Sequence, residues 1–248
     1  MPIMADDIDL WEAHSLWWQD GFTDGADPEY VEQIMPLAAN LLEGYDRVLD
    51  VGTGEGQVAR LAVSLGSSLV VGIDPTANQV SVAAERGGGV HYARSGADAL
   101  PFADQSFDAV VACLVFEHIE AVDEAIDEVA RVLCPGGRFA FFLNHPLLQT
   151  PGSGWIDDQT LEPPEQYWRI GPYLVEDNSV EEVEKDVFIP FIHRPMSRYV
   201  NAMADSGLTL RRMLEPAPPP GFLERAAEYR EAASIPRLLV LVAEREIR

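Results

Sequence analysis

The sequence predicts an α/β fold, an open sheet with helices between its strands and a ligand site along one edge. Three segments predict it. Val48-Leu-Asp-Val-Gly-Thr-Gly-Glu-Gly56 reads as a buried strand that ends in a glycine-rich turn and opens a helix, the arrangement that presents backbone N–H groups and a helix N-terminus to a ligand. Leu69–Asp74 and Ser106–Leu114 are further apolar strands alternating with helical patterns, and alternation of that kind builds a parallel sheet.

The elements follow in order. Ile8–Asp24 places Trp11, His14 and Trp18 on one helical face, so residues 1–27 are expected to cover the site as a lid or to pack their aromatics on the core. Pro28 to about Glu43 has helical apolar spacing, with Asp27 as N-cap and Gly44 as stop. In the turn after the first strand, Gly52 and Gly54 permit positive φ and close ligand approach, while Gly56 lets the next helix, Glu55 to about Leu65, pack on the strand. Leu69–Asp74 is the second strand and Pro75 starts its turn. A short strand at Val90–Arg94 leads to Gly96-Ala-Asp98, and Ser106–Leu114 is the fourth strand. Val122–Leu133 is an amphipathic helix with an acidic solvent face, after which Pro135-Gly136-Gly137 turns the chain into a fifth strand, Arg138–Asn144. Residues 145–195 carry no long helical pattern and are far longer than an ordinary connection of roughly 4–6 residues, so they read as an inserted cap. Met196–Ser206 (helix), Leu208–Leu214 (strand), Phe222–Ala233 (helix) and Leu238–Ala243 (strand) complete a single domain spanning 1–248.

Function is concentrated at the strand ends. Asp50, Asp74 and Asp98 close three successive strand-to-turn segments, where open α/β sheets bind ligands. A carboxylate at Asp50 suits a ligand with positive charge better than a pyrophosphate. Asp74 stands about where such folds place the residue that accepts from ribose hydroxyls, and Asp98 can accept from an exocyclic amine such as adenine N6. Taken singly, each acid is more often a helix cap or loop residue than a ligand contact.

In the segments VLDVGTGEGQ (48–57), VVGIDPT (70–76), GADALPFADQSFDAVVACLVFEHI (96–119) and LCPGGRFAF (133–141), the chain resembles the class I S-adenosylmethionine-dependent methyltransferases. The resemblance covers residues 45–145 and implies a Rossmann-like sheet of seven strands, mostly parallel with an antiparallel last strand. It also implies S-adenosylmethionine as cofactor, with Asp50, Gly52 and Gly54 around the methionine half, Asp74 and Pro75 at the ribose, Asp98 and Ala99 at the adenine, and Leu114 beside the cofactor. The acceptor it leaves open.

Composition trims the alternatives. The chain has 248 residues with 47% apolar content, and no apolar run is long enough to span a bilayer. Its N-terminus lacks a basic region followed by an apolar one, so a cytoplasmic protein is expected. Lys185 is the only lysine, and the net charge of −24 disfavours nucleic acid as a partner. The basic pair Arg211-Arg212 falls on a strand and should point to opposite faces. Cys113 and Cys134 lack metal-ligand spacing and read as reduced core thiols. No metal site is expected, and the protein is expected to be a monomer or homodimer.

For the reaction, four histidines qualify as a base: His145, preferred because it leaves the fifth strand at the sheet's carboxyl edge, then His14, His193, and His118 with Glu117. For His118 a packing or capping role weighs more. The acceptor is expected to be a small, partly apolar molecule methylated on O, N or C. Two other readings stand beside this one: an NAD(P)-linked oxidoreductase, weakened by Gln57 where a dinucleotide fingerprint has its third glycine, and a cofactor-binding scaffold or regulator that transfers no methyl group.

Overall fold

The computed structural model describes residues 7–229 and 231–247. Helices α1 (Asp7–Ala13) and α2 (Ser15–Phe22) are followed by a π-helical turn, Tyr30–Ile34, that continues as α3 (Met35–Leu42). Pro36 explains the turn. Its ring nitrogen has no proton to give the preceding turn, and the Met35 N–H instead reaches back to the Tyr30 carbonyl. Next come β1 (Arg47–Val51), α4 (Gln57–Ser64), β2 (Leu69–Asp74), α5 (Ala77–Arg86), β3 (His91–Arg94), β4 (Phe107–Cys113), a 3-10 turn at Phe116–His118, α6 (Val122–Val132) and β5 (Leu133–Asn144). Two hairpins follow, β6 (Gly154–Asp158) with β7 (Glu165–Arg169), and β8 (Asp177–Glu184) with β9 (Val187–His193). The chain closes with α7 (Met196–Asp205), β10 (Leu208–Leu214), α8 (Pro220–Arg225) and β11 (Leu238–Arg245).

Seven strands form one sheet in the order β10-β11-β5-β4-β1-β2-β3. Only β11 runs against its neighbours β5 and β10, and the other pairs are parallel. The predicted α/β, Rossmann-like architecture therefore holds, including the reversed last strand. Strand order reverses between β1 and β4, which opens a crevice at their carboxyl ends.

Period-two alternation divides the core between the two faces. Leu49, Val51, Val110, Ala112, Phe139 and Phe141 pack on one side with α6 and α7, while Val48, Ala109, Val111, Ala140 and Phe142 pack on the other with α3 and α4. Strands buried on both faces read as continuous apolar runs, which is how β4 and β5 appear in the sequence.

The turn expected at Pro135–Gly137 lies within the bounds of β5: Gly136 takes φ +78°, and residues 134–137 stand opposite the single residue Asp108, between the Phe107–Leu133 and Ala109–Arg138 pairs. Two expectations change. The helix expected over Phe222–Ala233 stops at Arg225. Beyond it, Tyr229 stacks on Trp155 at 5.0 Å and the Glu228 carbonyl accepts from Gln166 Nε2, so contacts with the first hairpin override helical spacing. Arg211 and Arg212 do not take opposite faces in regular alternation. A β-bulge after Leu210 skips Arg211, which pairs with Glu244 at 2.8 Å.

Among the described residues no helix is long and apolar enough to cross a membrane, and no cluster of His, Cys, Asp or Glu could hold a metal ion.

Candidate functional site

At the crevice between β1 and β4 lies a cavity of about 390 Å³. Its floor is the turn after β1, where Gly52 and Gly54 adopt φ of +68° and +54°, a region that only glycine enters freely. Any Cβ on Gly52 would collide with the Val115 side chain, and one on Gly54 would come 3.5 Å from the Trp18 indole nitrogen. Leu114 reaches the same region at φ +57° without being glycine. Backbone strain of this kind collects at functional sites, and Leu114 forms part of the cavity wall.

Acidic side chains dominate the electrostatics. Asp50, Glu55, Asp74, Asp98 and Glu120 line the cavity, and no lysine or arginine among the described residues does. Asp50 is 1% exposed and accepts from Thr53 Oγ1 at 2.7 Å. Burial pushes its pKa up to about 7 against that hydrogen bond, with Asp74 and Glu55 adding repulsion. Asp74 accepts from Gly54 N–H at 3.0 Å, from Thr76 N–H at 2.9 Å and from Thr76 Oγ1 at 2.6 Å. Burial raises its pKa too, and these bonds only partly offset it. Glu55 alone is balanced, by Arg60 at 2.6 Å and Arg86 at 2.7 Å.

A second chamber of about 290 Å³ adjoins the first and shares Trp11, Trp18, Tyr30, Leu114 and His118 with it. Its remaining walls include Trp17, Phe22, Ile189 and Phe191.

Both chambers are roofed by the N-terminal helices. Glu12 accepts from Ala77 N–H at 2.6 Å and Asn78 N–H at 3.0 Å, capping α5 from outside. Gln19 Nε2 donates to Gln79 Oε1 at 2.8 Å, and Gln57 Nε2 donates to the Phe22 carbonyl at 3.2 Å. Gln57 thus fastens the roof where a dinucleotide fingerprint would keep a glycine. On the far side, Trp17 Nε1 donates to Glu184 and Phe188 N–H donates to His14 Nε2, joining α1 and α2 to the second hairpin.

The structure brings Asp50, Gly52, Gly54, Asp74, Pro75, Asp98 and Leu114 to the first cavity; Ala99 is exposed and outside its lining, where Ala97 stands instead. His145 lines neither chamber, and both its ring nitrogens are occupied, Nε2 by Glu215 at 2.8 Å and Nδ1 by Leu147 N–H at 3.2 Å. His14 and His193 also lie outside both linings, and His193 Nε2 donates to the Tyr173 carbonyl. His118 faces both chambers. Sequence reasoning missed Tyr30, Thr76 and Gln79 in the cavity lining. Tyr30 is read from sequence only as part of an apolar helical face, and only the fold brings its hydroxyl to 3.8 Å from the Cys113 sulfur.

A methyltransferase-domain family model matches residues 49–141. Over 117 residues, 45% of this chain, the sequence is 36% identical to a ubiquinone biosynthesis O-methyltransferase of Agrobacterium fabrum, covering 46% of that relative. A demethylmenaquinone methyltransferase of Thermus thermophilus is 35% identical over 119 residues, 46% of this chain and 53% of its own length. The chain thus matches about half the length of these curated relatives. Among solved structures, an S-adenosylmethionine-dependent methyltransferase from Mesorhizobium loti superposes with a TM-score of 0.73 at 28% identity, covering 85% of this chain and 96% of the other.

Proposed function

We propose, for a chain that belongs to the class I S-adenosylmethionine-dependent methyltransferase family, that it transfers a methyl group from S-adenosylmethionine to a small organic acceptor held in the second chamber. One observation carries this reading: the first cavity, set at the reversal of strand order, is lined by acids, with no lysine or arginine among the described residues facing it. A ligand with a sulfonium and an ammonium group supplies the missing positive charge, whereas a dinucleotide would bring two phosphates against Asp50 and Asp74. The residues fit the cofactor on these grounds, and on the glycine turn that a Cβ would obstruct.

Asp50 and the 52–54 turn would hold the methionine half, Asp74 and Pro75 the ribose, and Asp98 with Ala97 the adenine end. Asp74 Oδ1 already accepts from both Thr76 groups, whereas Oδ2, with Gly54 N–H as its one donor, retains a lone pair for a ribose hydroxyl. When bound, the cofactor would supply an electrophilic methyl activated by its sulfonium sulfur, which is the leaving group. The protein is left with alignment and exclusion of water. Leu114, on the wall common to both chambers, sets the boundary across which acceptor and donor meet. The roof of Trp11 and Trp18, clamped through Glu12, Gln19 and Gln57, acts as the lid, and within residues 145–195 the second hairpin, through Val183, Ile189 and Phe191, acts as the acceptor cap.

The test is transfer itself. Protein incubated with methyl-labelled S-adenosylmethionine and a mixed extract of small organic metabolites should yield a labelled organic product. Binding of S-adenosylmethionine with no labelled product would assign the chain to a non-transferring binder on the same fold.

A further inference from the structure

His118 sits on the wall between the two chambers with its chemistry already fixed. Its Nδ1 lies 2.6 Å from the Pro190 carbonyl. A carbonyl oxygen only accepts, so Nδ1 carries the proton and Nε2 presents a bare lone pair. Nε2 has no hydrogen-bond partner among the described residues. The ring is clamped edge-on by Trp11 at 4.8 Å and by a tilted Phe191 ring at 4.7 Å, which hold it in one orientation.

Charge within the second chamber is cancelled before any ligand enters. Arg237 is bound through two nitrogens to Glu29, at 2.7 and 3.1 Å, and lies 4.1 Å over the Phe222 ring. Asp27 accepts from the Tyr30 N–H at 3.0 Å and has Arg225 at 4.0 Å. These are the charged groups of the lining, and each is engaged, so neither an anionic nor a cationic acceptor finds an unpaired counter-charge. Desolvating such an ion without one is costly. What remains for a ligand is a largely aromatic and aliphatic wall, the neutral amides of Gln33, Asn144 and Gln149, with Gln33 Oε1 unpartnered, and the Nε2 lone pair.

Resting on the methyltransferase reading, we infer that the second chamber selects a neutral, aromatic acceptor carrying a hydroxyl, and that His118 Nε2 is the base that receives the hydroxyl proton. In the step, the acceptor O–H bond breaks and its proton passes to Nε2, while an oxygen lone pair forms the O–CH3 bond. The bond from sulfur to methyl breaks with its electron pair left on sulfur. The imidazolium returns its proton to water when the ether product leaves. Burial keeps His118 neutral and lowers its pKa to about 4, so the proton reaches Nε2 only as the O–CH3 bond forms and acidifies the hydroxyl.

The experiment measures binding of four matched probes, 2-naphthol, naphthalene, 2-naphthoate and 2-naphthylmethylammonium, by quenching of tryptophan fluorescence. It uses the full-length protein, free and with S-adenosylhomocysteine. 2-Naphthol should bind roughly tenfold more tightly than naphthalene, the gain of about one hydrogen bond, and at least roughly tenfold more tightly than either charged probe. His118→Asn keeps a donor for the Pro190 carbonyl and deletes Nε2, so it should abolish the preference for 2-naphthol over naphthalene while leaving the discrimination against charge. Tighter binding of a charged probe, no binding of 2-naphthol, or an unchanged hydroxyl preference in His118→Asn would overturn the inference. Binding of 2-naphthol as described without binding of S-adenosylhomocysteine would instead overturn the cofactor reading alone.

Discussion

Asp50 shows how burial makes ligand binding depend on protons. Its carboxyl is held near pH 7 against an ordinary value of 3.8. The native state therefore keeps a proton that the unfolded chain has lost. Stability owed to this group is highest below about pH 4 and falls as pH rises toward 7. A positively charged ligand favours the ionised carboxylate and draws that proton off. Affinity for S-adenosylmethionine should then rise between about pH 5.5 and 8, and titration calorimetry near pH 6.5, in buffers of different ionisation enthalpy, should read proton release. Buffer-independent heats or proton uptake would refute the link. The site residues divide by how local their signal is. The acids and glycines of the first cavity were legible because strand end, turn and side chain lie within one segment. The histidine at the junction was named among the candidates but set below a packing role, since the proximity of His118 to Pro190, Trp11 and Phe191 depends on three segments far apart in sequence, while the position that drew attention to His145 concealed its pairing with Glu215.

At the scale of elements, apolar runs bounded by turn signals located the seven strands, Asp50, Asp74 and Asp98 marking the ends of only three, and β10 matches its predicted span, Leu208–Leu214. What escaped depends on partners: the Phe222–Ala233 helix lost its second half to Trp155 and Gln166, and the residue 145–195 segment hid two hairpins whose acidic, half-exposed strands give no clean alternation. The clamp between α1 and α5 is a testable consequence. Glu12→Ala removes the acceptor for two N–H groups of α5 and should cost about 1 kcal/mol, lowering Tm by about 2–4 °C in calorimetry and weakening S-adenosylhomocysteine binding. An unchanged Tm would mean that the cap contributes nothing. The β5 core should be far less tolerant. Phe141 is fully buried among Phe116, Phe139 and Tyr199, and Phe141→Ala should cost about 3–5 kcal/mol, read as a shift in urea midpoint. A loss below about 1 kcal/mol would show that the surrounding rings collapse into the space.

Across the whole molecule, 41 acids against 17 basic residues leave a surface that repels itself. Raising NaCl from about 0.01 to 1 M shortens the screening length from roughly 30 to 3 Å. Tm should therefore climb over that range, and a flat or falling Tm would show that the surface acids are already balanced by local pairs. The same charge surrounds the first cavity, where selection of an ammonium-bearing nucleoside over a phosphate-bearing one is the central claim. Titration calorimetry of the full chain with S-adenosylhomocysteine, S-adenosylmethionine and NAD, repeated on Asp74→Ala, tests it most directly. The predicted result is binding of both sulfur nucleosides at one site, no binding of NAD, and a loss of about 1.5–3 kcal/mol in the variant, the range for hydrogen bonds to a charged group. Binding of NAD in preference, or a folded Asp74→Ala protein with undiminished affinity, would contradict the account.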